Sequence, residues 1–335
     1  MKTKTISLVL LAVLLVAMMV AGCAIPAVAP LARPTAAQPV SGSARPYIAI
    51  ISRSFPQQPF WQAVRRGAEK AAQDFNVDMT FEGVDGSDQE VDSQLEMLGK
   101  AIDKKPAAIC LAAVDSKAVI PQLQKARDAH IPVIGLDSGV DSDIPVTTAA
   151  TDDVAAAATA ADHMAQLIGN AGEVAIIAHD QTSTTGFNRV KGFTDEIKTK
   201  YPHITIVSTG YGAGDPLKFN LIVKGAIRDH PNLKGYFGAN QSSADAVLSI
   251  VKELKKEGQI VVVGYDSGIM QLDAIRSGVE AGAITQDPIN MGYKCIEAAV
   301  EASNGRVLPK AIDTGWHWYD KTNIDDPAIA PLLYQ

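Results

Sequence analysis

Val133-Ile-Gly-Leu-Asp-Ser-Gly139 recurs further along the chain as Val262-Val-Gly-Tyr-Asp-Ser-Gly268. In each copy a short apolar run ends in Asp and then Ser-Gly. The run is too short for a helix and shows no polar alternation, the pattern of a strand buried on both faces of a parallel sheet. Each copy also follows a helical stripe, over 116–130 and 244–257. Upstream, Ala113-Val-Asp-Ser-Lys117 matches Ala239-Asn-Gln-Ser-Ser243 loosely. Two matches in the same order predict two similar lobes.

The rest of the folded chain repeats the same alternation. Strands are predicted at 47–52, 77–81, 107–113, 131–136, 146–150, 173–178, 204–207, 235–238, 259–265 and 283–285. Helices are predicted at 60–75, then one carrying Val91, Leu95, Leu98 and Ile102, and at 116–130, 153–168, 185–200, 216–229, 244–257, 269–277 and 291–303. In the first helix Ala63, Ala68, Ala71, Ala72 and Phe75 line one face against Arg65, Arg66, Glu69 and Lys70, spacing that fits 3.6 residues per turn. Asp85-Gly86-Ser87-Asp88 reads as the turn and cap of the second. The predicted fold class is α/β, with two lobes that are each a doubly wound parallel sheet.

In such sheets ligands bind outside the carboxyl ends of the strands. Asp137 and Asp266 occupy those ends, one per lobe, as do Ser52, Asp115, Asn240 and Gln241. A cleft between the lobes is therefore expected to be lined by carboxylates and amides, which pair with hydroxyl groups as acceptors and donors. Just after the first strand, Ser52-Arg-Ser-Phe-Pro-Gln-Gln-Pro-Phe-Trp61 supplies Phe55, Phe60 and Trp61. Aromatic rings there could cover the C–H face of a sugar; the competing reading of Trp61 is the start of the first helix's buried face.

The chain has 335 residues, 47% of them hydrophobic and 20% charged, which excludes a disordered or collagenous protein. Its net charge of −7 argues against a nucleic-acid partner. Lys2 and Lys4 precede an apolar run from Ile6 to Ala21, the form of an export signal and shorter than a spanning helix needs. Val20-Ala21-Gly22-Cys23 resembles a bacterial lipobox, which makes residues 1–22 the signal and Cys23 the lipidated residue. Pro26, Pro30, Pro34 and Pro39 lie among Ala, Ser and Gly in a tether over 23–45. Cys110 and Cys295 read as buried thiols, with a disulfide as the alternative.

These residues together resemble the periplasmic sugar-binding proteins of ABC transporters, in the ribose-binding-protein-like class with the type I periplasmic-binding fold. The resemblance rests on Gln57-Gln-Pro-Phe-Trp61, Ile131-Pro-Val-Ile-Gly-Leu-Asp137, Thr151-Asp152-Asp153, Phe187-Asn-Arg-Val-Lys-Gly-Phe193, Phe237-Gly-Ala-Asn240, Val262-Val-Gly-Tyr-Asp266 and Ile284-Thr-Gln286. It implies a three-segment hinge with crossovers near 150, 286 and 314. The N-terminal lobe is then 46–150 plus 287–314, and the C-terminal lobe 151–286 plus 315–335.

The resemblance further implies that Gln58, Asp137, Asn240, Asp266 and Gln286 bind ligand hydroxyls, and that Phe60 and Trp61 stack on the ring. Ser138 stands where pentose binders of the class often have Arg, and Phe187 where a second Arg is usual, with Arg189 two residues on. Tyr211 could replace a further family aromatic expected near Gly214. The implied ligand is a monosaccharide or polyol, closure of the lobes is the implied mechanism, and no cofactor, metal or catalytic residue is expected. The implied setting is a monomer, lipid-anchored outside the cytoplasmic membrane, that delivers its ligand to an ABC permease.

Other functions find less support in the sequence. A dinucleotide enzyme needs G-x-G-x-x-G after an early strand, and the turn after the first strand has no Gly. Gly210-Tyr-Gly-Ala-Gly-Asp215 reads as a tight turn. The six His have no metal-ligand spacing, and the acidic residues from Asp85 to Asp92 do not match a calcium loop. A sugar-responsive transcription regulator would carry a DNA-binding head where residues 1–45 stand. A sensing co-receptor for a membrane signalling protein remains the alternative to a transport role.

Overall fold

The computed structural model describes residues 45–84 and 90–334. The predicted signal, Cys23, the tether and the cap at 85–88 lie outside the described residues. The first lobe opens with β1 (Tyr47–Ser52), α1 (Pro59–Asp74), β2 (Asp78–Gly83), α2 (Glu90–Asp103), β3 (Ala108–Leu111), α3 (Ile120–Asp128), β4 (Val133–Leu136) and β5 (Thr147–Ala150). Then come α4 (Asp153–Leu167), β6 (Gly172–Ala178), α5 (Thr184–Lys200), β7 (Ile204–Tyr211), α6 (Pro216–Asp229), β8 (Leu233–Gly238), α7 (Gln241–Glu253), β9 (Val261–Tyr265), α8 (Ile269–Ser277) and β10 (Glu280–Gln286). The chain ends with α9 (Pro288–Ser303), β11 (Ala311–Asp313) and β12 (Trp316–Tyr319).

One sheet has the order β11-β5-β4-β3-β1-β2 and the other β12-β10-β9-β8-β6-β7. Position by position the two orders are equivalent, and the repeated Val-x-Gly-x-Asp-Ser-Gly stretch puts β4 and β9 at the same place in each. All pairings are parallel except β10 with β12. The chain changes sheet three times, after β5, after β10 and after β11.

Burial on both faces explains the unbroken apolar runs. Along β1, Ile48 and Ile50 enter the cluster formed with α1 and α9, while Ala49 and Ile51 enter the one formed with α2 and α3. Successive side chains of a strand point to opposite faces, so both faces must be apolar. In β6, Val174 and Ile176 face one core and Ala175 and Ile177 the other.

α1 and α9 pack closely through two glycines. A Cβ on Gly67 would fall 1.8 Å from the Ile289 carbonyl oxygen, and one on Gly292 would fall 1.9 Å from that of Val64. Both obstacles are backbone, which cannot rotate away. Gly292→Ala is therefore expected to destabilise the protein by about 3 kcal/mol, read as a lower denaturation midpoint; an unchanged midpoint would show that the helices can part without loss.

Some elements differ from the sequence reading. α3 begins at Ile120 rather than Ser116, because Asp115 Oδ1 accepts from the N–H groups of Lys117 and Ala118 and closes a turn first. Pro121, which lacks an N–H, then suits the first helical turn. α7 begins at Gln241 because the Asn240 side chain caps it. β7 runs on to Tyr211, and residues 212–215 form the turn before Asp215 caps α6. Strands β11 and β12 carry no sequence signal strong enough to announce them.

The preferred thiol reading of Cys110 and Cys295 is corrected. The two form a disulfide with Cα atoms 6.4 Å apart. It joins β3 to α9 because α9 returns to the first sheet after a whole lobe has intervened, a long-range packing that local periodicity does not reveal.

Candidate functional site

The two repeated Asp residues sit where their strands stop. Asp137 follows β4 with φ 58° and Asp266 follows β9 with φ 79°, the left-handed region that Asp tolerates better than most residues. In each, the backbone N–H still bonds the adjacent strand, Asp137 to Ala149 O at 3.0 Å and Asp266 to Ile284 O at 2.6 Å. Each is only 8% exposed.

Their surroundings differ. Asp266 Oδ1 accepts from Gln286 Nε2 at 2.7 Å, and Oδ2 accepts from the Gln241 N–H at 3.0 Å. Gln286 Oε1 in turn accepts from Thr151 Oγ1 at 2.9 Å, tying together two of the segments that cross between sheets. The Asp137 side chain has no hydrogen bond or ion pair among the described residues. Burial raises its pKa to about 7, with Asp153 and Asp266 adding to the effect and Arg189 and Arg53 opposing it.

Arg189 is the central cation. It projects from α5, whose first turn is capped by Ser183 accepting from the Gly186 N–H. It is 3% exposed. Its Nε donates to Asp153 Oδ1 at 2.7 Å and its Nη1 to Ala239 O at 3.2 Å. Its guanidinium lies 3.9 Å over the ring of Tyr265, whose hydroxyl donates to the same Asp153 oxygen. Nη1 stands 3.8 Å from Asp266 Oδ2. The sequence assigns Phe187 to the position of a second cation. The structure leaves Phe187 59% exposed and buries the charged side chain of Arg189.

The other sequence-derived residues are placed as follows. Phe60 is half-buried, with its ring edge-on to Trp61 at 5.1 Å. Trp61, at 3% exposure, lies in the first lobe's core and supports Phe60 from behind. Gln58 is exposed at the start of α1 and makes no capping bond. Asn240 uses Oδ1 to accept from the Ser243 N–H as the cap of α7. Ser138 is fully buried and its Oγ accepts from Arg53 Nη1 at 3.0 Å. Tyr211 ends β7 and packs against the second lobe's core.

Two residues that the sequence reading did not select also come here. Arg53, just after β1, reaches into the second lobe. Its Nη2 donates to Asp180 Oδ2 at 2.7 Å and its Nη1 to Thr185 Oγ1 at 2.9 Å. Backbone contacts accompany it, with the Gly139 N–H donating to Thr184 Oγ1 and the Ser116 N–H to Thr182 O. A cation directly after the first strand is a positional clue to its role. Tyr334 has no such clue; it meets Phe60 edge-on with ring centres 5.4 Å apart. The lobes thus touch through the Arg53 contacts and through Tyr334 against Phe60.

Comparison with known proteins fits this geometry. A family model described as a periplasmic binding protein domain matches residues 48–306. The D-ribose/D-allose-binding protein of Pseudomonas aeruginosa is 30% identical over 249 residues, covering 72% of this chain and 75% of that protein. The D-allose-binding periplasmic protein of Escherichia coli is 27% identical over 264 residues, 75% of this chain and 83% of that one. Among solved structures, a carbohydrate transporter solute-binding protein from Agrobacterium radiobacter, in complex with D-arabinose, superposes with a TM-score of 0.81 at 32% identity, covering 87% of this chain and all of that one. An ABC transporter solute-binding protein from Agrobacterium vitis with bound D-fucose gives 0.80 at 30% identity, over 86% of this chain and 100% of that one. With two equivalent sheets, three crossings and paired strand-end carboxylates, the chain belongs to the periplasmic binding protein family, which includes the sugar-binding proteins of ABC transporters.

Proposed function

We propose that this protein binds a monosaccharide or polyol between its lobes and delivers it, without chemical conversion, to an ABC permease. The observation that carries the reading is Asp137, a buried carboxylate at a strand end with no partner among the described residues. Such a group calls for donors from a ligand. Arg189 is already paired with Asp153 and stands close to Asp266, so its guanidinium is not free to meet an anionic ligand. A neutral molecule with several hydroxyls fits best.

Asp137 and Phe60 belong to the lobe formed by 46–150 with 287–314. Asn240, Asp266 and Arg189 belong to the lobe formed by 151–286 with 315–335. A ligand that bonds both sets favours the closed arrangement, because only that arrangement offers both at once. Residues 1–22 act as the export signal, Cys23 carries the lipid, and 23–45 tether a monomeric receptor to the outer face of the cytoplasmic membrane.

The test is a thermal-shift screen with D-ribose, D-allose, D-arabinose, D-fucose and xylitol. A ligand at a hundred times its Kd stabilises the native state by about 2.7 kcal/mol, enough for a shift of several degrees. At least one member is expected to give that shift in the wild type and none in Asp266→Ala, which should still fold. A shift that survives in Asp266→Ala removes Asp266 from the site, and a wild type that responds to no member contradicts the carbohydrate reading.

A further inference from the structure

The segment after β12 belongs to the second lobe. Ile324 and Ile329 pack with Leu272, Ile275 and Tyr319. Near its end, Thr285 Oγ1 donates to Leu332 O at 3.3 Å, and the Tyr334 N–H donates to Ser267 Oγ at 3.1 Å. Ser267 directly follows Asp266, so the segment is fastened at the strand end that carries the second lobe's carboxylate. From there the Tyr334 side chain crosses to the first lobe and meets Phe60.

The residue is only 4% exposed. Its hydroxyl is buried and lacks a hydrogen-bond partner of sound geometry. Burial, and then the Asp266 carboxylate beside it, hold its pKa well above the usual phenol value, so it remains a donor. The Asp266 oxygens accept from Gln286 and Gln241 and keep lone pairs for the Tyr334 hydroxyl, whose own lone pairs are then left to accept from a ligand hydroxyl.

Building on the sugar-binding reading, we propose that Tyr334 is a specificity-determining wall of the cleft: its ring limits the space beside Phe60, and its hydroxyl bonds one hydroxyl of the sugar held by Asp266. The ligand class this selects is a compact monosaccharide with a hydroxyl directed at both groups. A hydrogen-bonding site of this kind discriminates strongly against an analogue that lacks the matching hydroxyl.

The test uses the sugar from the panel above that binds wild type most tightly, together with its full set of monodeoxy analogues, titrated calorimetrically into wild type, Tyr334→Phe and Tyr334→Ala. Tyr334→Phe should weaken the parent sugar about tenfold. One monodeoxy analogue should bind wild type more weakly than the parent and lose nothing further in Tyr334→Phe, a coupling that a purely structural residue does not produce. Tyr334→Ala should narrow the wild type's preference between pentoses and hexoses. Affinities that are unchanged, or that fall by one common factor for every analogue, overturn the proposal while leaving sugar binding intact. A wild type that binds no member of the panel instead overturns the sugar-binding reading, and the proposal with it.

Discussion

Asp137→Asn is expected to lose ligand affinity by at least about a hundredfold while making the ligand-free protein more stable. Charge-assisted hydrogen bonds from ligand hydroxyls contribute about 1.5–3 kcal/mol each, and an amide replaces one acceptor with a donor. The stability gain follows from the carboxyl's raised pKa of about 7 in the folded chain against an ordinary 3.8. Between those values the unfolded chain has released the proton and the folded chain keeps it. Stability therefore falls as pH rises through that window, by about 4 kcal/mol in all. Asn escapes this loss, so its advantage should grow from about pH 4 to pH 7 and persist above. Ligand hydroxyls favour the charged form, so wild-type affinity should rise between pH 6 and pH 8, with proton release on binding. Calorimetry in buffers of different ionisation enthalpy and denaturation across pH read both effects. A flat affinity profile, or an Asn variant that still binds, would show that Asp137 does not face the ligand.

The second large effect concerns Arg53. Its guanidinium donates to Asp180 and Thr185 across the line between the lobes, and to Ser138 within its own lobe. Burial works against the charge on Asp180, but His179, the Arg53 guanidinium and the Ser183 donors outweigh it and hold its pKa well below the usual value. His179 is pushed down to about 3, first by burial and then by Arg53. The imidazole is therefore neutral near neutral pH, and Arg53 is the cation that Asp180 meets. The pair is partly buried, so removing one partner leaves the other poorly satisfied, at a cost of about 1–3 kcal/mol. Arg53→Ala should accordingly favour the open arrangement, weakening the tightest sugar by about tenfold to a hundredfold and enlarging the radius of gyration in small-angle scattering. Adding Asp180→Asn should cost little more, since the pair acts as a unit. Fully additive losses with an unchanged radius would mean that the pair does not hold the lobes together.

Much of this architecture can be read from local pattern. Strands buried on both faces announce themselves as unbroken apolar runs, and the repeat around Asp137 and Asp266 places the two carboxylates at equivalent strand ends before any coordinates are known. What escapes is set by contacts between residues far apart in the chain. The Cys110–Cys295 disulfide depends on α9 returning to the first sheet. Tyr334 depends on a segment of weak periodicity that packs back over α8 and β10. Arg189 is partly legible, as a cation near the N-terminus of α5. Its burial against the Tyr265 ring and Asp153 is tertiary, and the family pattern around Gly192-Phe193 points to Phe187 instead. Trp61 shows the converse, because an aromatic beside a site residue also satisfies the rule for a helix's buried face.

The central claim is that one small polyhydroxy molecule is held between Asp137 and Asp266. A crystal structure of the protein with the tightest-binding sugar tests it most directly. The account predicts ligand hydroxyl oxygens within hydrogen-bond reach of both carboxylates, with Phe60 against a C–H face. A sugar bound elsewhere, or one touching only one of the two lobes, would contradict it.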